Sequence, residues 1–297
     1  MNCVNKLVGE DQKKTMKRNK SFDNKQPLLY LVATPIGNLN EISKRALDVL
    51  NEMDVIAAED TRNTHMLLSQ YGIKKDLFSL REHNELEASK HLVELLNKGK
   101  KVAYVSDAGY PGISDPGYLL VKYARENDIA VSTISGSCAF INALVASGLP
   151  TDHFYFYGFL SKKGNEAKRA LEELLNRCET LIFYESPHHI EETIKLMNDV
   201  FGDRQCVIAR ELTKLNEEYI RGSLNELVQL DFSTLKGEMV VLIEGKVQAD
   251  NQLDDSKIIE KLKLYLDHGI SKKTAIELTS IELKVPKNTV YKIAQEM

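Results

Sequence analysis

Acidic, small and glycine residues cluster in this chain directly after short apolar runs. Open α/β sheets bind ligands there, beyond the carboxyl ends of their strands. The most elaborate of these segments is Ser106-Asp107-Ala108-Gly109-Tyr110-Pro111-Gly112-Ile113-Ser114-Asp115-Pro116-Gly117, with three Gly and two Pro among twelve residues. It is too long and too shaped to be a tight turn. A carboxylate at Asp107 can accept hydrogen bonds from the amine or ribose of a cofactor. A second segment, Ala57-Ala58-Glu59-Asp60-Thr61-Arg62-Asn63-Thr64, sets two acids and an arginine at a strand-to-helix junction, where Thr61 or Asn63 can cap the helix. It reads equally well as a cap with a local ion pair.

In Thr34-Pro35-Ile36-Gly37-Asn38-Leu39 the glycine permits close backbone approach and the proline stiffens the turn, although a plain structural turn accounts for it too. The segment lacks the G-x-G-x-x-G spacing that cradles a dinucleotide pyrophosphate. Ser135-Gly136-Ser137-Cys138-Ala139 offers small residues for a cofactor to lie against, or a capped helix start. Further along, Tyr184-Glu185-Ser186-Pro187-His188-His189 and Ala209-Arg210-Glu211-Leu212-Thr213-Lys214 again place charged groups after strands. Paired histidines are more often surface or capping residues, so His188 and His189 stay outside the expected chemistry. No H-E-x-x-H, P-loop or G-x-S-x-G motif occurs.

Elements of alternating type must position these loops. Strands are expected at Leu28–Ala33, Asp54–Ala58, Lys101–Ser106 and Ile129–Ile134. Helices are expected between them at Ser43–Asn51, His65–Tyr71, Glu85–Asn97 and Tyr118–Asn127, giving a mainly parallel α/β sheet. After the turn-forming cluster at residues 148–152, strands follow at Phe154–Gly158, Thr180–Tyr184, Gln205–Arg210, Glu217–Arg221 and Glu238–Glu244. A polar stretch, Gln248–Asp255, leads to helices at Lys257–His268, Lys272–Ile281 and Lys287–Gln295, laid out like a helix-turn-helix with a polar cap before each. The expected organisation is a flexible tail over residues 1–27, an α/β domain over 28–147, a linker over 148–152, a second α/β domain over 153–247 and a helical module over 256–297.

With 297 residues and 43% hydrophobic content the chain can build two cores. Its longest apolar runs are far short of the roughly 20 residues that span a bilayer. Cys3, Cys138, Cys178 and Cys206 form no C-x-x-C pair, which argues against a zinc site or disulfide framework and for a reducing cytoplasm. A net charge of -4 gives no global attraction to nucleic acid, so RNA contact would need local patches such as Lys162-Lys163 with Lys168 and Arg169, the Lys-rich N-terminus, or Lys272, Lys273, Lys284, Lys287 and Lys292. Each of these is equally a solvated face.

TPIGNL, AAEDTR, the His83-Asn84-Glu85 triplet, SDAGYPGISDPG, TLIFYESPH, ARELTK and KGEMVVLIEG together resemble the 16S ribosomal RNA cytidine 2′-O-methyltransferase family, whose relatives are the tetrapyrrole (corrin and porphyrin) methylases. The likeness runs from about Leu28 to Gly245 and more weakly through the C-terminal helices. It implies two α/β domains with S-adenosylmethionine in the cleft between them, a homodimer, and 16S ribosomal RNA in the small subunit as partner. Carried over residue by residue, it implies that Pro35, Asp107, Ala108, Gly109, Ile113, Ser114 and Ser137 line the donor pocket, with Tyr184, Ala209 and Gly237 from the second domain. The chain departs from the family pattern at Tyr110, where Thr is usual, at Ser135 and Ser137, where Pro-Gly-Pro is commoner, at Ser161, where Pro is usual, and at His189, where Arg is usual.

The implied reaction is an in-line displacement at a sulfonium methyl by a ribose 2′-hydroxyl, which requires alignment and a proton acceptor but no metal. Glu59 and Asp60 are the candidate bases, with Glu211 in reserve. Arg62, Asn84, Arg210 and Lys214 are candidates to hold RNA phosphate or ribose. Two other readings stay open: a methylase of the same fold acting on a tetrapyrrole or other small molecule, and a non-enzymatic RNA-binding ribosome-assembly factor.

Overall fold

The structure, a computed structural model, describes residues 28–247, 255–283 and 285–297. The expected N-terminal tail, Cys3, most of the polar stretch before the C-terminal helices, and Lys284 lie outside these residues. The chain divides into two compact units, one comprising residues up to Ala143 together with Arg210–Glu218, the other Leu144–Ala209 together with Tyr219 onward. The division falls inside a helix, before the linker expected at 148–152. It also moves Arg210–Glu218, expected in the second domain, to the first unit.

The first unit contains β1 (Leu28–Val32), α1 (Lys44–Glu52), β2 (Val55–Ala58), α2 (Thr61–Gln70), β3 (Asp76–Ser79), α3 (Glu85–Asn97), β4 (Val102–Val105), α4 (Tyr118–Glu126) and β5 (Ala130–Ile134). The next helix, α5 (Ala139–Ser147), crosses the division between the units. Its five strands run parallel in the order β3-β2-β4-β1-β5. Strand periodicity sorts β4 between two cores: Val102 and Tyr104 join Leu29, Ala57 and Leu92 on one face, while Ala103 and Val105 join Val32, Ile56 and Ala58 on the other. Burial on both faces is why β4 reads as an unbroken apolar run.

Two local expectations are corrected here. Strand β3 was not anticipated, because its Asp-Leu-Phe-Ser sequence is a short edge strand with two apolar residues. Helix α2 starts at Thr61, four residues before the apolar periodicity begins at His65. Its cap is Asp60, which accepts the Arg62 N–H at 2.8 Å, and neither Thr61 nor Asn63 fills that role.

The second unit builds a mixed sheet from β6 (Phe154–Phe159), β7 (Thr180–Glu185), β8 (Gln205–Arg210), β9 (Glu218–Ser223) and β10 (Met239–Ile243), in the order β6-β7-β10-β8-β9. Strand β6 is parallel to β7 and β10 antiparallel to it. Helices α6 (Gly164–Leu174), α7 (Ile190–Phe201) and α8 (Leu224–Leu227) supply Leu171, Ile194, Met197 and Leu224 to its core. The C-terminal helices α9 (Asp255–Asp267), α10 (Lys272–Leu283) and α11 (Lys287–Glu296) close around their own cluster of Ile258, Leu262, Ile276, Val290 and Ile293. Ser271 caps α10 by accepting the Thr274 N–H, but Pro286 occupies the N-cap of α11 and no side chain caps that helix, contrary to expectation. Among the described residues no helix is long and apolar enough to cross a membrane.

Candidate active site

Within the first unit, parallel strands deliver the loops after β1, β2, β4 and β5 to the same edge of the sheet. The loops after β1 and β4 are pinned by a two-way bridge in which Thr34 N–H donates to Gly109 O at 2.9 Å and Gly109 N–H returns to Thr34 O at 3.1 Å. Gly109 has φ 77°, in the left-handed region that a side chain resists, and a Cβ there would sit 3.5 Å from Ile36 and 3.6 Å from the Ser137 carbonyl. The loop after β5 is held against this pair, with Gly136 N–H donating to the Tyr110 hydroxyl at 3.2 Å. Tyr110 is thus a structural strut for the loop in which the family pattern also departs.

The acidic centre lies where the β2 and β4 loops meet. Asp107 accepts the Asp60 N–H at 3.1 Å and the Asn63 amide at 2.7 Å. Burial raises the proton affinity of Glu59, opposed by a long hydrogen bond from Asp107 N–H at 3.5 Å and reinforced by the neighbouring carboxylates of Asp107 and Asp60. Asp60 behaves in the opposite way: its hydrogen bonds from Arg62 hold it far below the usual carboxylate range. Of the two adjacent acids, Glu59 is therefore the stronger proton acceptor.

Arg81 is a member of this centre that the sequence reading missed. Its Nε donates to the Glu59 carbonyl at 3.1 Å and its guanidinium lies 3.9 Å from Asp60. It follows β3, and without that strand it had no assigned place. Asn84, an expected RNA contact, is engaged internally: its side chain accepts the Arg81 N–H at 2.7 Å and donates to Ser79 O at 3.2 Å.

Pro35 and Asp107 line a cavity of about 360 Å³ together with Gly37, Asn63, Thr64 and Met66, the last three from one face of α2. Ile113 and Ser114 stand apart from that cavity, on the exposed outer turn of their loop, where Ser114 adopts φ 62°. Ala108 is exposed beside Asp107, and Ser137 donates to Glu41 at 2.7 Å.

The segment Arg210–Glu218 reaches the β1 loop at Gly37, where a Cβ would lie 2.6 Å from Lys214 Cγ and 3.0 Å from Thr213 Oγ1. Glu211 and Thr213 have φ 50° and 68°, and Glu211 pairs with Lys214 at 2.9 Å. Arg210 pairs with Glu218. These residues are thus locally braced, and Leu215 at the tip is 99% exposed.

Three expected donor-pocket residues belong to the second unit or its strands. Tyr184 packs its ring against Phe156 and Phe159, Ala209 is fully buried in β8, and Gly237 has φ 82° ahead of β10.

The sequence matches the tetrapyrrole (corrin/porphyrin) methylases over residues 28–228. It is 40% identical to ribosomal RNA small subunit methyltransferase I of Bacillus subtilis (strain 168), across 93% of this chain and 97% of that protein. It is 43% identical to the protein of the same name from Halalkalibacterium halodurans, across 94% of this chain and 99% of the other. Among solved structures, uroporphyrin-III-C-methyltransferase from Thermus thermophilus superposes with a TM-score of 0.52 at 18% identity, covering 74% of this chain and 94% of that one, a likeness of fold alone.

Proposed function

This chain belongs to the tetrapyrrole methylase family and, within it, to the ribosomal RNA small subunit methyltransferase I family, and from that premise we propose that it transfers a methyl group from S-adenosylmethionine to the ribose 2′-hydroxyl of a decoding-centre cytidine in 16S ribosomal RNA. It does so as a cytoplasmic homodimer acting on the small ribosomal subunit. The observation that carries the ribosomal substrate is the identity of 40% and 43% along nearly the whole length of relatives bearing that name.

The residues of the first unit fit such a donor. Gly109, bare of a side chain and in the left-handed region, lets the loop after β4 pack closely against Ile36 and the Ser137 carbonyl, which brings the loops after β1, β4 and β5 together. Asp107 adds a carboxylate to suit the positive charge of a sulfonium and an amine. Pro35 and Asp107, which line the cavity, would hold it with Ala108, Gly109 and Ser137 beside them, and the family resemblance adds Ile113 and Ser114 from the outer turn of the same loop. When bound, S-adenosylmethionine supplies an electrophilic methyl group.

The chain's own part is alignment, exclusion of water and proton acceptance. Glu59 accepts the 2′-hydroxyl proton on its carboxylate as the oxygen attacks. Asp60, committed to Arg62 and the α2 cap, positions the junction instead of accepting the proton. Arg62, 83% exposed along its side chain, is available to an RNA phosphate on its outer edge. Arg210 and Lys214 are further candidates, their carboxylate partners Glu218 and Glu211 being displaceable by phosphate.

The test incubates purified protein with methyl-labelled S-adenosylmethionine and small subunits from a strain lacking the enzyme, then maps the label by nuclease digestion and mass spectrometry. Label on the ribose of one cytidine is the expected result. Absence of label from both subunits and free ribosomal RNA, with donor binding demonstrated, overturns the reading.

A further inference from the structure

The second unit has a concavity of its own. It measures about 460 Å³ and is lined by Phe159, Lys162, Glu185, His188, His189 and Glu192, among others. These residues follow or end the parallel strands β6 and β7 and lead into α6 and α7, so the cavity occupies the sheet edge at which α/β folds bind ligands.

Its walls are of three chemical kinds. Phe159 is a large aromatic left 59% exposed at the mouth, its ring centroid 5.4 Å from that of Tyr184. Lys162, His188 and His189 make no ion pair or side-chain hydrogen bond among the described residues, and no side chain caps the N-termini of α6 or α7. Glu185, 8% exposed, accepts the Ser186 N–H at 2.7 Å and the Thr193 hydroxyl at 2.6 Å. Those two bonds occupy about half the lone-pair positions of a carboxylate.

We propose that this cavity binds one nucleotide of single-stranded RNA, with the base inside and its phosphate at the rim, an inference that rests on the RNA reading above. An exposed aromatic at a cavity mouth is a stacking platform for a base, and an unpaired lysine beside two open helix N-termini attracts a phosphate. Glu185 and Glu192 repel a bare anion from the interior and direct the phosphate outward. A buried carboxylate with acceptor capacity to spare selects a base that carries an exocyclic amine, so cytosine, adenine or guanine is preferred to uracil.

The experiment measures fluorescence anisotropy of labelled hexamers of cytidylate, adenylate and uridylate with the full-length protein. Phe159→Ala and Lys162→Ala change exposed side chains, and Glu185→Gln keeps the size of the buried one. Phe159→Ala is expected to weaken binding about 10-fold for every hexamer. Lys162→Ala is expected to reduce the slope of log affinity against log salt by about 0.7. Glu185→Gln abolishes the preference over uridylate, and circular dichroism checks its fold.

Wild-type affinity and salt slope in both surface variants overturn the proposal, as does equal wild-type affinity for all three hexamers. Label transfer to small subunits is measured in parallel. Wild-type protein that methylates RNA while the variants bind normally sinks the cavity and leaves the methylation reading intact. Oligonucleotide binding that depends on Phe159, without any methylation of RNA, does the reverse.

Discussion

Asp107 Oδ1 accepts the backbone N–H of Asp60 at 3.1 Å, tying the loop after β4 to the loop after β2. The two strands are neighbours in a parallel sheet, so their loops emerge side by side. The bond therefore ties a residue of the proposed donor-binding loop to the residue that follows the proposed base, Glu59. A displacement of one loop shifts the other.

Glu59→Gln is expected to lower kcat for methyl transfer by about 10²- to 10⁴-fold, the usual contribution of a positioned base. Asp60→Asn should cost less, since Arg62 already holds that carboxylate's proton affinity far down. In the wild type, kcat/KM should rise with pH through a limb above the ordinary glutamate value of 4.5, because burial raises the Glu59 pKa. Rapid-quench measurement across pH tests both points, and full activity in both variants would falsify the general-base role.

Stability should respond in the opposite sense to activity. A carboxyl group whose folded pKa is raised binds a proton in the folded state where the unfolded chain has released it. Its contribution is therefore full at low pH and declines as pH rises from the unfolded value through the raised folded value. Glu59→Gln removes that decline, so the variant should equal or exceed the wild type in Tm at pH 7, with the difference shrinking toward pH 4. Calorimetry at the two pH values measures it, and a wild type more stable at pH 7 would contradict the burial argument.

Much of the first unit was readable because its signals are strong and local. Strand β4 is apolar at every position, α3 begins and ends where its periodicity does, and the long shaped loop from Ser106 to Gly117 stood out by its glycines and prolines. The positions of Glu59 and Asp107, in the loops that leave β2 and β4, were legible because each loop follows its own apolar strand. Tertiary facts were not legible. Arg81 owes its position to an edge strand too short to register, and Asn84 is consumed in holding it. The segment Arg210–Glu218 groups with the first unit and approaches Gly37 closely, neither of which any periodicity encodes.

Asn84→Ala should act through Arg81 and not through RNA. Loss of its two side-chain hydrogen bonds is expected to cost about 1–3 kcal/mol in urea unfolding, at roughly 0.5–1.5 kcal/mol per bond. It also frees the turn that presents Arg81 to the Glu59 carbonyl. The predicted signature is reduced kcat with unchanged RNA affinity and unchanged salt slope. A fall in RNA affinity with kcat preserved would instead restore Asn84 as a direct contact.

Gly37 should prove sensitive for a reason located in one partner. An added methyl would meet Lys214 Cγ at 2.6 Å, too near the backbone to swing aside freely, and Thr213 Oγ1 at 3.0 Å. Overpacking of this kind costs about 1–3 kcal/mol. Gly37→Ala is therefore expected to destabilise the protein by that amount and to lower activity by displacing the segment that carries Glu211 and Lys214. Lys214→Ala removes the closer obstacle, so the double variant should recover most of the stability lost to Gly37→Ala, a coupling that a double-mutant cycle reads directly. If the two changes are simply additive, the segment does not press on Gly37 in solution, and its place in the first unit must rest on other contacts.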